Sequence, residues 1–150
     1  MSPRITNHLP DSLLAFLTEG CPALLLTVGA DGFAHTAYTW AVAPHTTAVH
    51  FAADYGSTTL TNLQRQQRAA LQIIGQGNLV YLIKGDVHQI KTQIEAAPFN
   101  MAMMALNVRE IKDQSWPNVT VQPLAYAWPP PQQTEMLAME RAVYNEMRRW

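Results

Sequence analysis

Apolar positions in this chain switch between a helical and an alternating period, and glycines mark most of the switches. Leu13, Leu14, Phe16 and Leu17 follow Asp11 and Ser12, which predicts a short amphipathic helix over Pro10 to Leu17 with those two polar residues near its cap. Gly20 ends it. Ala23 to Val28 ("ALLLTV") is a compact apolar run, and Gly29 to Gly32 ("GADG") reads as a hairpin connection. The return strand "FAHTAYTWAV" sets Thr36, Tyr38 and Trp40 on one face and Ala37, Thr39 and Ala41 on the other. "APHTT" makes a turn, and "AVHFA" is a third strand. It enters a Gly-Ser-Thr-Thr loop and a short helix with Leu60 and Leu63 on one face.

Ala69 to Ile74 predicts a fourth strand, "GQGN" a turn, and Leu79 to Ile90 a long fifth strand bent at Gly85. "MAMMALNVREIKD" is ambiguous between helix and strand. The partial alternation of Leu106, Val108 and Ile111 favours strand. Val119 to Leu124 reads as a further short strand, and Pro129 to Pro131 as an extended spacer. Met136, Met139, Val143 and Met147 then mark a terminal helix with one apolar stripe. Hairpin-length turns between the first strands argue against a parallel sheet and for an antiparallel barrel.

The 150 residues fit one domain, 1–150, with a C-terminal helix. A chain of this size buries about 68–70% of its unfolded surface and needs no covalent staple. Charged residues are only 14%, which favours an oligomer interface. A net charge of −1 with scattered Lys and Arg excludes the basic stripe of a nucleic-acid binder. Cys21, the single cysteine, rules out an internal disulfide and reads as a small buried thiol. The absence of a signal-length apolar core near the N-terminus, and of a membrane-length run anywhere, leads us to expect a soluble, cytoplasmic protein. His8, His35, His45, His50 and His88 lack ligand spacing, so no metal is assigned.

"ALLLTVGADGFAHTAYTW", "HFAADYGSTTLTNLQRQQRAALQI" and "YLIKGDV", in that order, resemble the FMN-binding split-barrel family of the pyridoxamine 5′-phosphate oxidase type. The shared features are a T-x-x-x-x-G strand–turn–strand, a strand entering a Gly-Ser loop, an Asn-Leu helix and a strand ending near Lys-Gly, over residues 9 to 90. The resemblance implies a mainly β, homodimeric, antiparallel split β-barrel with FMN at the dimer interface. It implies one edge of the flavin ring along Tyr38, Thr39 and Trp40, and the phosphate at Ser57, Thr58 and Thr59, with Ala53 on the strand leading there. Flavin-binding members place Arg and Lys directly after the Gly-Ser and more basic residues on the second strand. Here those positions hold Thr58, Thr59, Ala37 and Val42. Each missing charge-assisted hydrogen bond is worth about 1.5–3 kcal/mol, against about 0.3–2 kcal/mol from a helix N-terminus.

Ser57, Thr58 and Thr59 thus read either as a phosphate cradle or as an ordinary helix cap. Tyr38 and Trp40 read as flavin contacts or as core and dimer contacts. His35 reads as a surface residue or as one near an approaching substrate, and Asn62 as a local hydrogen-bonding group. Arg65, Arg68 and Lys84 are the nearest cations that could rescue a phosphate, or else a solvated face. No triad, carboxylate pair or Walker motif is present, in keeping with flavin chemistry, where the cofactor carries the redox step. The expected function is an FMN-dependent oxidoreductase. The alternative is a barrel that has lost the phosphate grip and binds haem, a deazaflavin or a small apolar molecule, or one that works through its interface alone.

Overall fold

The computed structural model describes residues 4–150. Its elements are β1 (Ile5–Thr6), α1 (Asp11–Glu19), β2 (Cys21–Val28), β3 (Ala34–His45), β4 (Ala48–Asp54), α2 (Thr58–Gln66), β5 (Arg68–Gly75), β6 (Leu79–Lys91), β7 (Met101–Asp113) and α3 (Gln133–Arg149). Strands run in the order β1-β7-β4-β3-β2-β5-β6, and a further β6–β7 pairing closes β2 to β7 into a six-stranded antiparallel barrel. The expected mainly β split barrel is the fold observed.

Closure depends on a bend in the long strands. The β6–β7 register shifts between Lys84 and Gly85, where the sequence placed a bend. A Cβ on Gly85 would stand 2.1 Å from the Asn107 carbonyl oxygen and 2.6 Å from Leu106. Only a residue without a side chain lets the two backbones approach that closely. The hairpin at Gly29 to Gly32 also forms as read, with Gly29 N–H donating to the Phe33 carbonyl at 2.8 Å.

Phe51, Leu25, Leu71, Ile73, Ile83 and Leu106 fill the interior. α1 contributes Leu13 and Leu17 to that core, and α2 contributes Leu60 and Leu63. Pro10, rather than Asp11 or Ser12, takes the cap position of α1 and makes no side-chain bond there. A second cluster lies outside the barrel wall, where Val143, Tyr144 and Met147 of α3 cover Trp40, Val42, Ala52 and Met103. Gly20, at φ 91°, admits the Tyr144 ring, which would stand 2.4 Å from any Cβ there.

Two expectations for the C-terminal third are corrected. Val119 to Leu124 is not a strand; only Val121 bridges to Gly77, and Pro117 and Pro123 have no N–H to donate to a ladder. Pro129 to Pro131 is not an extended spacer, because Pro130–Gln132 forms a 3-10 turn that leads into α3. Proline's fixed φ suits a helix start.

α3 is tethered by a carboxylate that the sequence pattern did not reveal. Glu146 accepts from Lys91 at 2.7 Å and from the amides of Glu95 at 2.9 Å and Ala96 at 2.8 Å. Burial alone would raise its pKa, but Lys91 and the two amides outweigh that and hold the carboxyl below its ordinary range. His50, buried under the same helix, lies 2.7 Å through Nδ1 from the Met147 carbonyl. Burial lowers its pKa against the pull of that carbonyl.

Both groups bind protons more readily when unfolded, so each stabilises the fold most at higher pH. The thermal midpoint should therefore fall in two stages on acidification. The first begins near pH 6.5 and is lost in His50→Gln; the second begins near pH 4.5 and is lost in Glu146→Gln. Gly85→Ala should lower stability by roughly 1–3 kcal/mol in urea unfolding, as at other overpacked sites.

Candidate functional site

α2 forms where a strand delivers a glycine and a hydroxyl residue ahead of helix-forming sequence. Gly56 adopts φ 79°, and Ser57 takes the extended cap conformation. Ser57 Oγ accepts from Leu60 N–H at 3.1 Å and donates to the Asp54 carbonyl at 2.6 Å, so its hydroxyl is already committed to the cap. The Thr61 amide bonds to the Ser57 carbonyl. Among the described residues, the amides of Thr58 and Thr59 have no such partner and remain free at the helix start, where the dipole favours an anion. Thr58 is exposed, whereas Thr59 is buried.

Three adjoining clefts meet at Met101. The smallest, about 50 Å³, runs between Ala37 and Tyr38 of β3, Ala52 and Ala53 of β4, and Asp54, Ser57 and Thr59. A second, about 150 Å³, is walled by Tyr38, Thr39, Trp40, Tyr126 and Trp128. The third, an open hollow of about 580 Å³, is bounded by Trp40, Asp54, Tyr55, Phe99 and Asn100. Tyr38, Thr39, Trp40, Ala53, Ser57 and Thr59 therefore border one connected region, and Thr58 stands just outside its lining.

The side chains in that region differ in how free they are. Tyr38 is 60% exposed while Trp40, two residues on along the same strand, is 7% exposed. The C-terminal segment accounts for the difference. Trp40 Nε1 donates to the Tyr126 hydroxyl, and Tyr126 and Trp128 Nε1 both donate to Glu140 Oε1, at 2.5 Å and 2.8 Å. Burial, then the Glu140 carboxylate, pushes the Tyr126 phenol well above its ordinary pKa, so it stays a donor. Thr39 Oγ1 is engaged with the Ala52 backbone, at 2.7 Å to the carbonyl and 3.2 Å from the amide, where it stitches β3 to β4.

The electrostatics near Ser57 are not those of a conventional phosphate site. Asp54 brings a carboxylate to the mouth, and no Lys or Arg lines any of the three clefts. Arg65 donates to the Val28 carbonyl. Arg68 and Lys84 line a separate groove of about 570 Å³, where Lys84 pairs with Glu110 at 3.3 Å. His35 sits opposite Thr27 on β2, outside the clefts. Asn62 donates to Thr27 Oγ1 at 3.0 Å, so its hydrogen bond joins α2 to β2, 35 residues away, instead of being the local one expected. Burial pushes the Cys21 thiol up to about 12, which leaves it inert. No group of three His, Cys, Asp or Glu side chains that could hold a metal occurs among the described residues. Among the described residues no helix is long and apolar enough to cross a membrane.

Sequence reasoning missed Asp54, Met101, Tyr126, Trp128 and Glu140. The first is a charge inside a motif read for its hydroxyls. The aromatic pair stands in "PLAYAWPPP", where two rings spaced by one residue ahead of prolines signal a segment packed onto something.

Comparison with known proteins bears on the family and the fold. The family model described as pyridoxamine 5′-phosphate oxidase matches residues 9–127. No curated protein matches the chain. The fold is similar to that of a candidate pyridoxamine 5′-phosphate oxidase from Lactobacillus delbrueckii, with TM-score 0.59 and 16% identity over 74% of this chain and 98% of that one. It is also similar to an F420 reductase, with TM-score 0.60 and 13% identity over 71% of this chain and 100% of that one. A candidate 5-nitroimidazole antibiotic resistance protein from Bacteroides thetaiotaomicron gives TM-score 0.51 and 8% identity, over 75% and 90%. At these identities the structural likeness is one of fold alone. With the family match spanning most of the sequence, the chain belongs to the pyridoxamine 5′-phosphate oxidase family.

Proposed function

We propose that this protein is a homodimeric oxidoreductase that holds a flavin, FMN in the first instance, in the connected clefts around Met101. One observation carries the reading: the cleft beside the exposed Tyr38 edge of β3 passes Ala37 and Ala53 and reaches Ser57 and Thr59 at the start of α2, with Thr58 just outside its lining. Tyr38, Thr39 and Trp40 offer a wall for a planar ring, and the Thr58 and Thr59 amides an anchor for its phosphate. A bound flavin would supply the electron transfer. The chain's part is to orient that ring, shield it from water with Trp40, Tyr126 and Trp128, and tie its tail to the helix start.

The second copy is argued from the outside of the barrel. Pro22, Leu24, Leu26 and Val28 point outward from β2 and are not buried, and Ala70 and Ile74 do the same from β5. The registers Leu24↔Tyr38, Leu24↔Gln72 and Leu26↔Ala70 set these side chains together on one face beside the Tyr38 edge. An antiparallel sheet facing water would carry polar residues there. A partner covering this face would reach the open side of the clefts.

A second reading is favoured by Asp54 and by the commitment of Ser57 to its cap. A carboxylate beside the anchor and no cation near it suit a ligand with little charge at that end. A small apolar molecule would meet that requirement better than a phosphate dianion, and a haem or deazaflavin would meet it only with its anionic groups turned away from Asp54.

Fluorescence titration of the cofactor-free protein separates the two. FMN should bind, and more tightly than riboflavin by no more than about 30-fold, the limit set by a helix terminus without a cation. Asp54→Asn should widen that preference for FMN and leave riboflavin unchanged. Failure of both flavins to quench would overturn the flavin reading. Ser57→Ala should lower stability by about 1 kcal/mol in urea unfolding through loss of the cap.

A further inference from the structure

We propose that the cleft walled by Tyr38, Trp40, Tyr126 and Trp128 binds a quaternary ammonium group. Its walls are set at right angles. Tyr38 and Tyr126 have ring centroids 6.3 Å apart and planes inclined by 86°, and Tyr126 and Trp128 are 5.7 Å apart and inclined by 89°. Rings arranged this way form a corner that is open on one side rather than stacking into a solid layer. The open cleft between them has a volume of about 150 Å³, enough for a trimethylammonium head.

The polar ends of the rings are tied to one another and to a carboxylate. Trp40 Nε1 is spent on the Tyr126 hydroxyl, and Tyr126 and Trp128 are spent on Glu140. What remains for a ligand is π surface, Met101 and the satisfied Thr39. Donation to a carboxylate raises electron density in the two rings, and ring faces attract cations. Glu140 pairs with no Lys or Arg among the described residues, although its charge lies behind the wall. A primary ammonium has three N–H groups and would need acceptors that this lining lacks. A cation with methyl groups in place of hydrogens needs none.

The inference deepens the flavin reading by naming the class of molecule brought to the same strand, but it is tested without any flavin. Cofactor-free protein is titrated with choline and with 3,3-dimethylbutan-1-ol, its uncharged carbon isostere, and the tryptophan Nε1–H signals are followed by NMR. Choline should shift the Trp40 and Trp128 signals saturably and bind about tenfold more tightly than the isostere. Glu140→Gln should weaken choline and leave the isostere unchanged, and Trp128→Leu should weaken both. No saturable shift with choline, or equal affinity for the two probes in the wild-type protein, would overturn the proposal. Because choline and a flavin would share Tyr38 and Trp40, the choline titrations are made without flavin, and flavin binding is read separately by the flavin titrations.

Discussion

Strand β2 is apolar on both faces, and much of the structure follows from that. Its inward residues Cys21, Ala23 and Leu25 are buried in the barrel core, while Pro22, Leu24, Leu26 and Val28 point the other way. Neighbouring strands continue the outward set through Ala70, Ile74, Val80 and Leu82, placed by the registers Leu26↔Ala70, Ile74↔Val80 and Gln72↔Leu82. Strands buried on both faces read as continuous apolar runs, and strands with one wet face alternate. A barrel can satisfy the inward set alone. The outward set calls for cover, which the chain supplies over only part of its circumference.

Where it does so, the cover is α3. Val143, Tyr144 and Met147 lie over Trp40, Val42 and Met103, and Glu146 fastens the helix to Lys91 and the amides of Glu95 and Ala96. The helix stops short of Tyr38, and at that boundary the aromatic cleft opens. Trp40 lies under the C-terminal segment and Tyr38 outside it, so the candidate site marks the line between the wall covered in cis and the wall left open. The chain thereby builds its own aromatic wall from Tyr126 and Trp128, held by Glu140. This placement brings Tyr126, Trp128 and Glu140 of the C-terminal third to the candidate site.

Most of the barrel was legible because its signals are local. Gly29 to Gly32 specified a hairpin, Gly85 a bend, and the Met136–Met147 stripe a helix, each through the backbone or period of a few residues. The strand choice for Met101–Asp113 also held, though its inner half, Ala102 to Leu106, is buried continuously and shows no alternation. Val119 to Leu124 failed for the opposite reason. Its composition suits a strand, but Pro117 before it, Pro123 within it and a single bridge at Val121 leave it as a strap across the barrel.

The site was legible in outline only. "YGST" announced a turn into a helix, and its neighbours do line a cleft, but the sequence did not say that Ser57 Oγ would be consumed by Leu60 N–H or that Thr59 would be buried. The pairing of Trp40 with Tyr126 spans 86 residues, and no local pattern encodes it. "ALLLTV" is an apolar run without alternation, and the proposed second copy would cover its outward half. Light scattering on the purified protein tests that second copy most directly. A mass of twice 16.7 kDa, reduced to that of one chain by Leu26→Lys with the melting profile of the monomer intact, is the expected result. A wild-type protein that stays at the mass of one chain at micromolar concentration would contradict it.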